Sequence, residues 1–422
     1  MRSAIVDWRS NDRPFSCGEA ALTPAIVAIL VLLIAELAVA APSLTSDPAA
    51  VHSAREYVDR ARERVGRSDA TAAVRSLREA LNVDPQNAEA RALLGFALIG
   101  MGDLDGAIEE LRVATRMHPD FIPARLHLAT ALMARQDMAG ARTELDEVLR
   151  RQADQVQARY ALGIVRYTLG DLPGAIESYR QVLAVDPTHY DARFYLALML
   201  KLAHRDAEAT HEFLAAAQAG LPRAQYFAGM AYSTGVGVEK SLVRAVTWWL
   251  LAAEGGVLQA DEALAQLRRV ALGRARVGIA ERQEADEAFR AFRDGLRAQF
   301  PNVIVPADES VGSALIAQSA PEGLTILLRE AGALSEPAQR RLIEVYERGV
   351  DGYVAAYDAR ILAWLRNAAT EGQVRPRIWL ARVYAGGLGV PKDVPRAITL
   401  LRSTPHEDAQ RLLQELSTVR SD

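Results

Sequence analysis

The chain has 422 residues, of which 50% are apolar, 24% are charged and only 6% are aromatic. This length is enough for two or three compact domains or for one long array, and the apolar content excludes a wholly disordered chain. A formal net charge of −4 argues against a nucleic-acid-binding protein, which normally carries a basic excess. The single cysteine, Cys17, leaves neither an intramolecular disulfide nor a thiolate metal site.

The first long apolar stretch covers residues 22–41 and follows a mixed-charge segment, 1–21, which we predict to be cytoplasmic. Small residues at 38–40 suit a signal-peptidase site and favour a cleaved signal peptide. If Glu36 lies at the outer interface, the stretch can instead stay as a transmembrane anchor, since about 20 residues span a bilayer. Both alternatives remain open. Both place everything beyond the polar linker 42–53 in the bacterial periplasm, either anchored to the inner membrane or released after signal cleavage.

An eight-residue motif returns along the chain at a fixed period. GDLDGAIE at 102–109 reappears as GDLPGAIE at 170–177, and the divergent copy QDMAGART lies midway at 136–143. An Ala-Arg dipeptide repeats with the same period of 34 residues, and its arginines are Arg91, Arg125, Arg159 and Arg193. Agreement between independent registers indicates an internal repeat.

These residues resemble the tetratricopeptide repeat, a helix–turn–helix unit of 34 residues. In one unit the small and apolar positions of that family are matched by Leu94-Gly95, Ala107, Leu111, Ala114 and Pro119. The resemblance implies about five units over residues 54–220, with small residues where the two helices of a unit approach closely. Glycine and aspartate make the inter-helix turn, since glycine accepts positive φ and aspartate caps the next helix. The early tryptophan of the family is absent, and arginine stands in four of those places.

Beyond residue 220 the pattern resembles the Sel-one-like repeat, a tetratricopeptide relative with a longer loop. Residues 223–256 and 377–404 share a Gly-x-Gly-Val loop, and a poorer copy at 338–372 lacks it. The stretch between these copies matches neither repeat and has a charged helical pattern. The predicted divisions are one Sel-one-like repeat at 221–273, a charged helical insertion and hinge at 274–332, two further Sel-one-like repeats at 333–406 and a C-terminal cap helix at 407–422.

The repeats predict an all-α fold, a right-handed α-solenoid of helix–turn–helix units. The glycine-rich loops at 235–238 and 386–389 lie between predicted helices, whereas a dinucleotide-binding loop follows a strand, so we interpret them as turns. The seven histidines lack the spacing of a zinc site, and no Gly-x-Ser-x-Gly nucleophile motif is present. The sequence therefore predicts a protein that is not an enzyme, with no cofactor and no metal site.

The resemblance also implies where a partner binds, because the first helix of each tetratricopeptide unit lines the concave groove. The predicted partner-binding residues form an apolar stripe at i, i+4 and i+7 in four units: Ala92, Phe96, Ile99; Leu126, Thr130, Met133; Tyr160, Ile164, Tyr167; and Phe194, Leu198, Lys201. Each residue is either an exposed binding position or part of the core between units. The ladder of Arg91, Arg125, Arg159 and Arg193 either meets an acidic partner or pairs with carboxylates of adjacent units.

These features predict a non-catalytic protein-interaction scaffold in the bacterial envelope, with a partner protein in the concave groove. Two alternatives remain: an assembly chaperone or protease adaptor for envelope clients, and a scaffold of an exopolysaccharide secretion complex, for which a polysaccharide is a further partner. Stoichiometric co-purification indicates a scaffold, whereas weak and transient binding indicates an adaptor. Nucleic acid is not an expected partner. Membrane contact is expected through residues 22–41 if that segment is uncleaved.

Overall fold

The computed structural model of the chain describes residues 48–418 apart from Ser68, Ala307 and Asp308. The predicted signal peptide or anchor at 22–41 lies outside the described residues, as does the predicted cytoplasmic segment 1–21. Among the helices that are described, none is both long and apolar enough to cross a membrane.

The described part of the chain is all-α, without a β-strand, and divides into two compact units, residues 48–219 and 220–418. The first unit contains ten helices: α1 (Pro48–Gly66), α2 (Ala70–Val83), α3 (Ala88–Met101), α4 (Leu104–Met117), α5 (Ile122–Ala134), α6 (Met138–Arg151), α7 (Val156–Thr168), α8 (Leu172–Val185), α9 (Tyr190–Leu202) and α10 (Asp206–Gln218). Short turns join them in pairs, and each helix packs on the next one along the chain. The predicted all-α array of helix–turn–helix units is confirmed.

The recurring GDLxGAIE motif builds the turn between the two helices of a repeat. Asp103, Asp137 and Asp171 each accept a hydrogen bond from the backbone N–H three residues on, over 2.8 to 3.0 Å, and so cap the second helix. Gly102 ends the first helix with a φ of 81°, a left-handed conformation that glycine adopts without strain. Gln136 takes the same conformation in the divergent copy, with a φ of 66°, which is uncommon for a residue other than glycine.

Glycine also sets the distance between the two helices of a repeat. A methyl group at Gly95 would collide with Leu111 Cγ, and one at Gly163 would lie 2.8 Å from the ring of Tyr179. Packed side chains do not approach that closely, so a larger residue would push the second helix outward. The Leu-Gly position of the repeat therefore serves close helix packing, as the family pattern implies.

The second unit contains eleven helices within its described residues: α11 (Pro222–Thr234), α12 (Leu242–Glu254), α13 (Leu258–Ala271), α14 (Ile279–Gln299), α15 (Val311–Ala317), α16 (Gly323–Gly332), α17 (Glu336–Arg348), α18 (Ala359–Thr370), α19 (Val374–Gly386), α20 (Val394–Arg402) and α21 (Glu407–Thr418). The predicted Sel-one-like copies are the pairs α11–α12, α17–α18 and α19–α20. Each copy closes its loop with a backbone N–H donating to a tyrosine carbonyl: Ser241 to Tyr232 at 2.8 Å, Tyr357 to Tyr346 at 2.7 Å and Asp393 to Tyr384 at 2.8 Å. The copy at 338–372 thus keeps the loop closure although it lacks Gly-x-Gly-Val.

Residues 274–332, which we expected to form a charged helical insertion and hinge, pack into the second unit, and their role as a hinge stays a prediction. Helix α14 buries the apolar face expected from its sequence: Ala285, Ala288, Phe289, Phe292 and Leu296. These side chains share one core with α12 and α13, and side chains of α15 and α16 extend it. The physical reason is that each helix of the segment has an apolar face, so it pairs with its neighbours as repeat helices do.

A buried ion pair joins parts of the second unit that are far apart in sequence. The guanidinium of Arg268 on α13 donates through two nitrogens to Glu371, with Nε to Oε2 at 2.6 Å, and through Nη1 to the carbonyl of Gly332 at 3.1 Å. Gln373 donates to the same carboxylate at 2.9 Å and accepts from Gln339 at 3.0 Å. Both charged side chains are almost fully buried, so they depend on each other for stabilisation. The pair therefore fixes α13 and α16 against the turn after α18.

Candidate partner-binding surface

The predicted groove residues lie on α3, α5, α7 and α9, the first helices of four repeats, and most of them are buried. Seven are at most 8% exposed: Phe96, Ile99, Leu126, Met133, Tyr160, Ile164 and Phe194. Ala92 and Thr130 are buried as well, whereas Tyr167 is half-buried. Of the two alternatives stated for each position, burial between repeats is the one observed for these residues. A role of these residues in binding a partner stays a prediction.

Aromatic packing accounts for part of this burial. The ring of Phe96 lies against His127 of the next repeat, with 5.0 Å between centroids. At 4.9 to 6.0 Å between centroids, Tyr160 contacts the rings of Tyr179, His189 and Tyr195. Aromatic pairs at such distances stabilise a core beyond the effect of burial alone. The aromatic side chains of the fourth and fifth repeats therefore hold these repeats together.

The first-helix face becomes accessible at α7 and α9. Tyr167, Leu198 and Lys201 are half-buried, and the neighbouring Leu202 is 40% exposed. We call these four residues the accessible patch. Burial lowers the pKa of the Lys201 amine, and the carboxylate of Asp206 opposes that shift. The patch thus combines apolar side chains, a phenol and an amine, a combination that fits an amphipathic protein segment.

The four ladder arginines make bonds inside the array. Each guanidinium donates to the backbone carbonyl six residues before it, at 2.8 to 3.0 Å. Three of them also bond a glutamate on the second helix of the same repeat: Arg91 to Glu110 at 2.6 Å, Arg125 to Glu144 at 2.7 Å and Arg193 to Glu212 at 2.8 Å. Of the two predicted roles of the ladder arginines, the structure shows pairing with carboxylates. The paired carboxylates belong to the same repeat and not to adjacent repeats. The guanidinium ties the first helix both to the preceding turn and to the second helix.

We expect Arg125→Met to destabilise the first unit by about 1 to 2 kcal/mol, because it leaves Glu144 and the carbonyl of Pro119 without their donor. Arg159→Met is the matched control and should cost less, since Arg159 bonds the amide of Gln181 at 3.3 Å and no carboxylate. Hydrogen exchange of the α5 and α7 amides in the full chain measures both losses. Equal losses would show that the carboxylate contributes nothing.

His127 on α5 is a buried histidine for which the sequence indicated no role. Burial lowers its pKa from 6.5 to about 4, so the imidazole is neutral near pH 7. Its Nδ1 atom has no hydrogen-bond partner in the structure. Phe96 packs against the ring, so His127 acts as a core side chain of the inter-repeat contact.

Because the pKa of His127 is lowered on folding, we expect the chain to lose stability in acid. As the pH falls, the imidazole becomes protonated near pH 6.5 in the unfolded chain but only near pH 4 in the folded chain. The free energy of unfolding therefore has its full value above pH 6.5 and decreases as the pH falls from 6.5 to 4. The expected loss at pH 4 relative to pH 7 is about 2 to 3 kcal/mol. Thermal melts across this range should show a smaller pH dependence for His127→Leu than for the unchanged chain. Identical pH profiles would contradict the prediction.

A metal ion in a protein is held by several ligating side chains that lie close together. Over the described ranges 48–418, no group of three or more histidine, cysteine or carboxylate side chains could hold a metal ion. Each of the two glycine-rich loops contains a glycine, Gly235 or Gly387, that ends a helix in a left-handed conformation. They are helix-terminating turns.

Paired helices with a 34-residue period and aspartate-capped turns define an α-helical repeat protein. Residues 52–194 match the family model of the tetratricopeptide-repeat domain of cytochrome c-type biogenesis protein H, and residues 165–226 match a tetratricopeptide-repeat model. Residues 222–257 and 378–403 match the Sel1 repeat, which is the predicted Sel-one-like type. The chain therefore contains tetratricopeptide repeats followed by C-terminal Sel1 repeats, and the predicted resemblance to these two repeat types is confirmed.

Three solved structures are similar to parts of the chain. MamA from Desulfovibrio magneticus RS-1 is 20% identical, with 39% of this chain and 94% of that chain covered and a TM-score of 0.37. PilF from Pseudomonas aeruginosa is 19% identical, with 56% and 97% covered and a TM-score of 0.40. YrrB, a tetratricopeptide protein with an unusual peptide-binding site, is 20% identical, with 39% and 84% covered and a TM-score of 0.34. No curated protein matched the chain.

Proposed function

We propose that this chain is a non-catalytic scaffold of the bacterial envelope that holds a partner protein on the first-helix face of its tetratricopeptide array. The two repeat types support the general role in protein interaction. The binding of a partner at this face is supported by the accessible patch. First-helix side chains that are buried in earlier repeats are partly exposed at α7 and α9. The signal-like or anchor-like pattern of residues 22–41 supports the location in the envelope.

The chemistry of the accessible patch indicates the kind of partner. Leu198 and Leu202 are one helical turn apart on α9 and present adjacent apolar surface. Lys201 supplies a positive charge beside them, and Tyr167 supplies a ring with a hydroxyl group. Because Lys201 is half-buried, its attraction to a carboxylate is stronger than that of an amine in open water. The partner we propose is an amphipathic segment with apolar side chains and at least one carboxylate.

A second function, assembly of a client protein, is favoured by one observation. Residues 52–194 match a domain of a protein that is named for the biogenesis of c-type cytochromes. In that case the accessible patch would present a client transiently and then release it. A scaffold keeps its partner in a stoichiometric complex, so the lifetime of the complex distinguishes the two functions.

Site-specific photo-crosslinking in the cells of origin tests the proposal. When a photoreactive amino acid replaces Leu198 in the full-length chain, it should crosslink to one major partner protein. The same amino acid at Asp146, which is exposed on the second helix α6, is the matched control and should capture none of it. Capture at 146 but not at 198 would contradict the proposal. A complex that survives purification supports the scaffold, whereas an adduct that forms only during a short pulse of client synthesis supports assembly.

Leu202→Asp should reduce the adduct at position 198 roughly tenfold or more, because it puts a carboxylate into the apolar part of the patch. Since Leu202 is exposed, helicity and melting temperature should stay unchanged. Glu109→Lys, at an exposed position of α4, is the control substitution and should leave the adduct as it is. An unchanged adduct in Leu202→Asp would remove the accessible patch from the binding site.

A further inference from the structure

The corner between α13 and α14 carries two large apolar side chains that are exposed to solvent. Leu272 follows the last residue of α13 and is 43% exposed, and Ile279 is the first residue of α14 and is 74% exposed. Only six residues separate them, and two of these are glycines, which have no side chain to cover the backbone. Isolated apolar side chains are normal on a surface, so the corner needs a second feature to be a site.

Arginines supply the second feature. Four of them lie within or beside the segment that joins the two apolar side chains, and all four are exposed: Arg269, Arg274, Arg276 and Arg282. In the described structure no carboxylate lies within ion-pair distance of any of these guanidinium groups. The one acidic residue of the stretch is Glu281, and its carboxylate already accepts the backbone N–H of Gly278. The corner therefore carries an excess of positive charge on a chain whose net charge is −4.

The fold adds a further like charge to the corner. A methyl group at Gly372 would touch the guanidinium of Arg274 and would lie 3.5 Å from that of Arg377, so both arginines approach the same turn. Burial and then the charge of Arg274 lower the pKa of Arg377. Arg377 donates to the carbonyls of Ala369 and Ser403, so it is held in place beside Arg274. Like charges repel, and an external anion would relieve that repulsion.

We propose that this basic corner, comprising Leu272, Ile279 and the arginines at 269, 274, 276 and 282, docks on an anionic lipid surface. The guanidinium groups would bond lipid phosphates, and the two apolar side chains would enter the boundary between headgroups and acyl chains. Arginine suits this role because its planar donors match phosphate oxygens. The second unit would then contact the membrane independently of residues 22–41.

The shape of the corner favours a membrane over an acidic protein. A stable protein interface needs about 800 Å² on each partner and a packed apolar centre. The corner instead presents two separated apolar side chains on a turn, with charges between them. A lipid surface accommodates single projecting side chains, since each one only has to displace headgroup water. Basic residues beside such side chains add attraction to anionic lipid.

A fluorescent probe at the corner tests the proposal directly. The full-length chain with Cys17→Ser and Ile279→Cys carries one thiol, which is labelled with the environment-sensitive dye NBD. Vesicles of phosphatidylcholine and phosphatidylglycerol should shift its emission to shorter wavelength, and vesicles of phosphatidylcholine alone should not. Leu258→Cys in the same background is the matched control, because Leu258 is 72% exposed but lies at the other end of α13, near Asp261 and Glu262. It should show no shift.

Arginine variants make the proposal quantitative. Arg274→Gln with Arg276→Gln should weaken the vesicle affinity reported at position 279 about 25-fold, or about fivefold for each arginine. Arg75→Gln with Arg78→Gln removes two exposed arginines of α2 and should change it little. Residues 22–41 are the same in all variants, so they do not contribute to the difference. The proposal is overturned by equal shifts on neutral and anionic vesicles, by no shift at 279, or by an equal shift with soluble polyglutamate, which would assign the corner to an acidic protein.

Discussion

Glu371→Ala is expected to destabilise the second unit by about 3 to 5 kcal/mol, because it leaves the guanidinium of Arg268 buried and without its counter-charge. The hydrogen bond from Gln373 is lost as well. Four of the five tryptophans lie in this unit, so urea unfolding of the full chain followed by tryptophan fluorescence reports mainly on it. The midpoint of this transition should fall strongly.

Two comparisons identify burial of an unpaired charge as the cause. Glu344→Ala removes the carboxylate from an exposed pair with Arg341 and should cost less than about 0.5 kcal/mol. Arg268→Met combined with Glu371→Gln removes both buried charges and should be less damaging than Glu371→Ala alone. If the double variant were as unstable as the single one, packing and hydrogen bonding would explain the loss and the unpaired charge would not.

The second large effect is expected for Tyr160→Ala, which should destabilise the first unit by about 3 kcal/mol or more. Tyr160 is 3% exposed and contacts the rings of Tyr179, His189 and Tyr195. Removing its ring leaves a cavity between the fourth and fifth repeats. Hydrogen exchange of the amides in α7, α8 and α9 measures the change. We expect protection to fall in all three helices.

Tyr167→Ala is the matched comparison, because Tyr167 lies two helical turns further along α7 and is half-buried. It should cost about 1 kcal/mol or less and should weaken the crosslink at position 198. A contrary result would be a stable Tyr160→Ala chain that no longer binds its partner. That outcome would return Tyr160 to the binding face that the repeat pattern predicted for it.

Much of the repeat architecture was predictable because it depends on residues that are close in sequence. The cap at Asp103 and the turn at Gly102 involve backbone groups within a few residues, so the motif itself indicates them. The contact between Gly163 and Tyr179 spans one repeat, and the 34-residue period reveals it. The sequence also indicates the partners of the ladder arginines, since a glutamate follows both Arg91 and Arg125 after the same number of residues.

The candidate site was less predictable, because a helical stripe shows which residues share a face but not what covers that face. Phe96 and Leu198 occupy equivalent positions in their repeats, yet Phe96 is buried and Leu198 is half-buried. The difference depends on the side chains of neighbouring helices, such as His127 against Phe96. Such contacts vary from repeat to repeat, so the period cannot reveal them.

By itself the sequence determined the repeat type, the helix pairing and the capped turns, because these follow from local hydrogen bonds and from small residues at a fixed period. Only the tertiary structure decided how residues 274–332 pack and which groove positions are accessible. It alone also showed that Arg268 pairs with Glu371, 103 residues away. The physical reason is that burial and long-range charge pairing depend on the summed packing of many helices, which no single motif of the chain encodes.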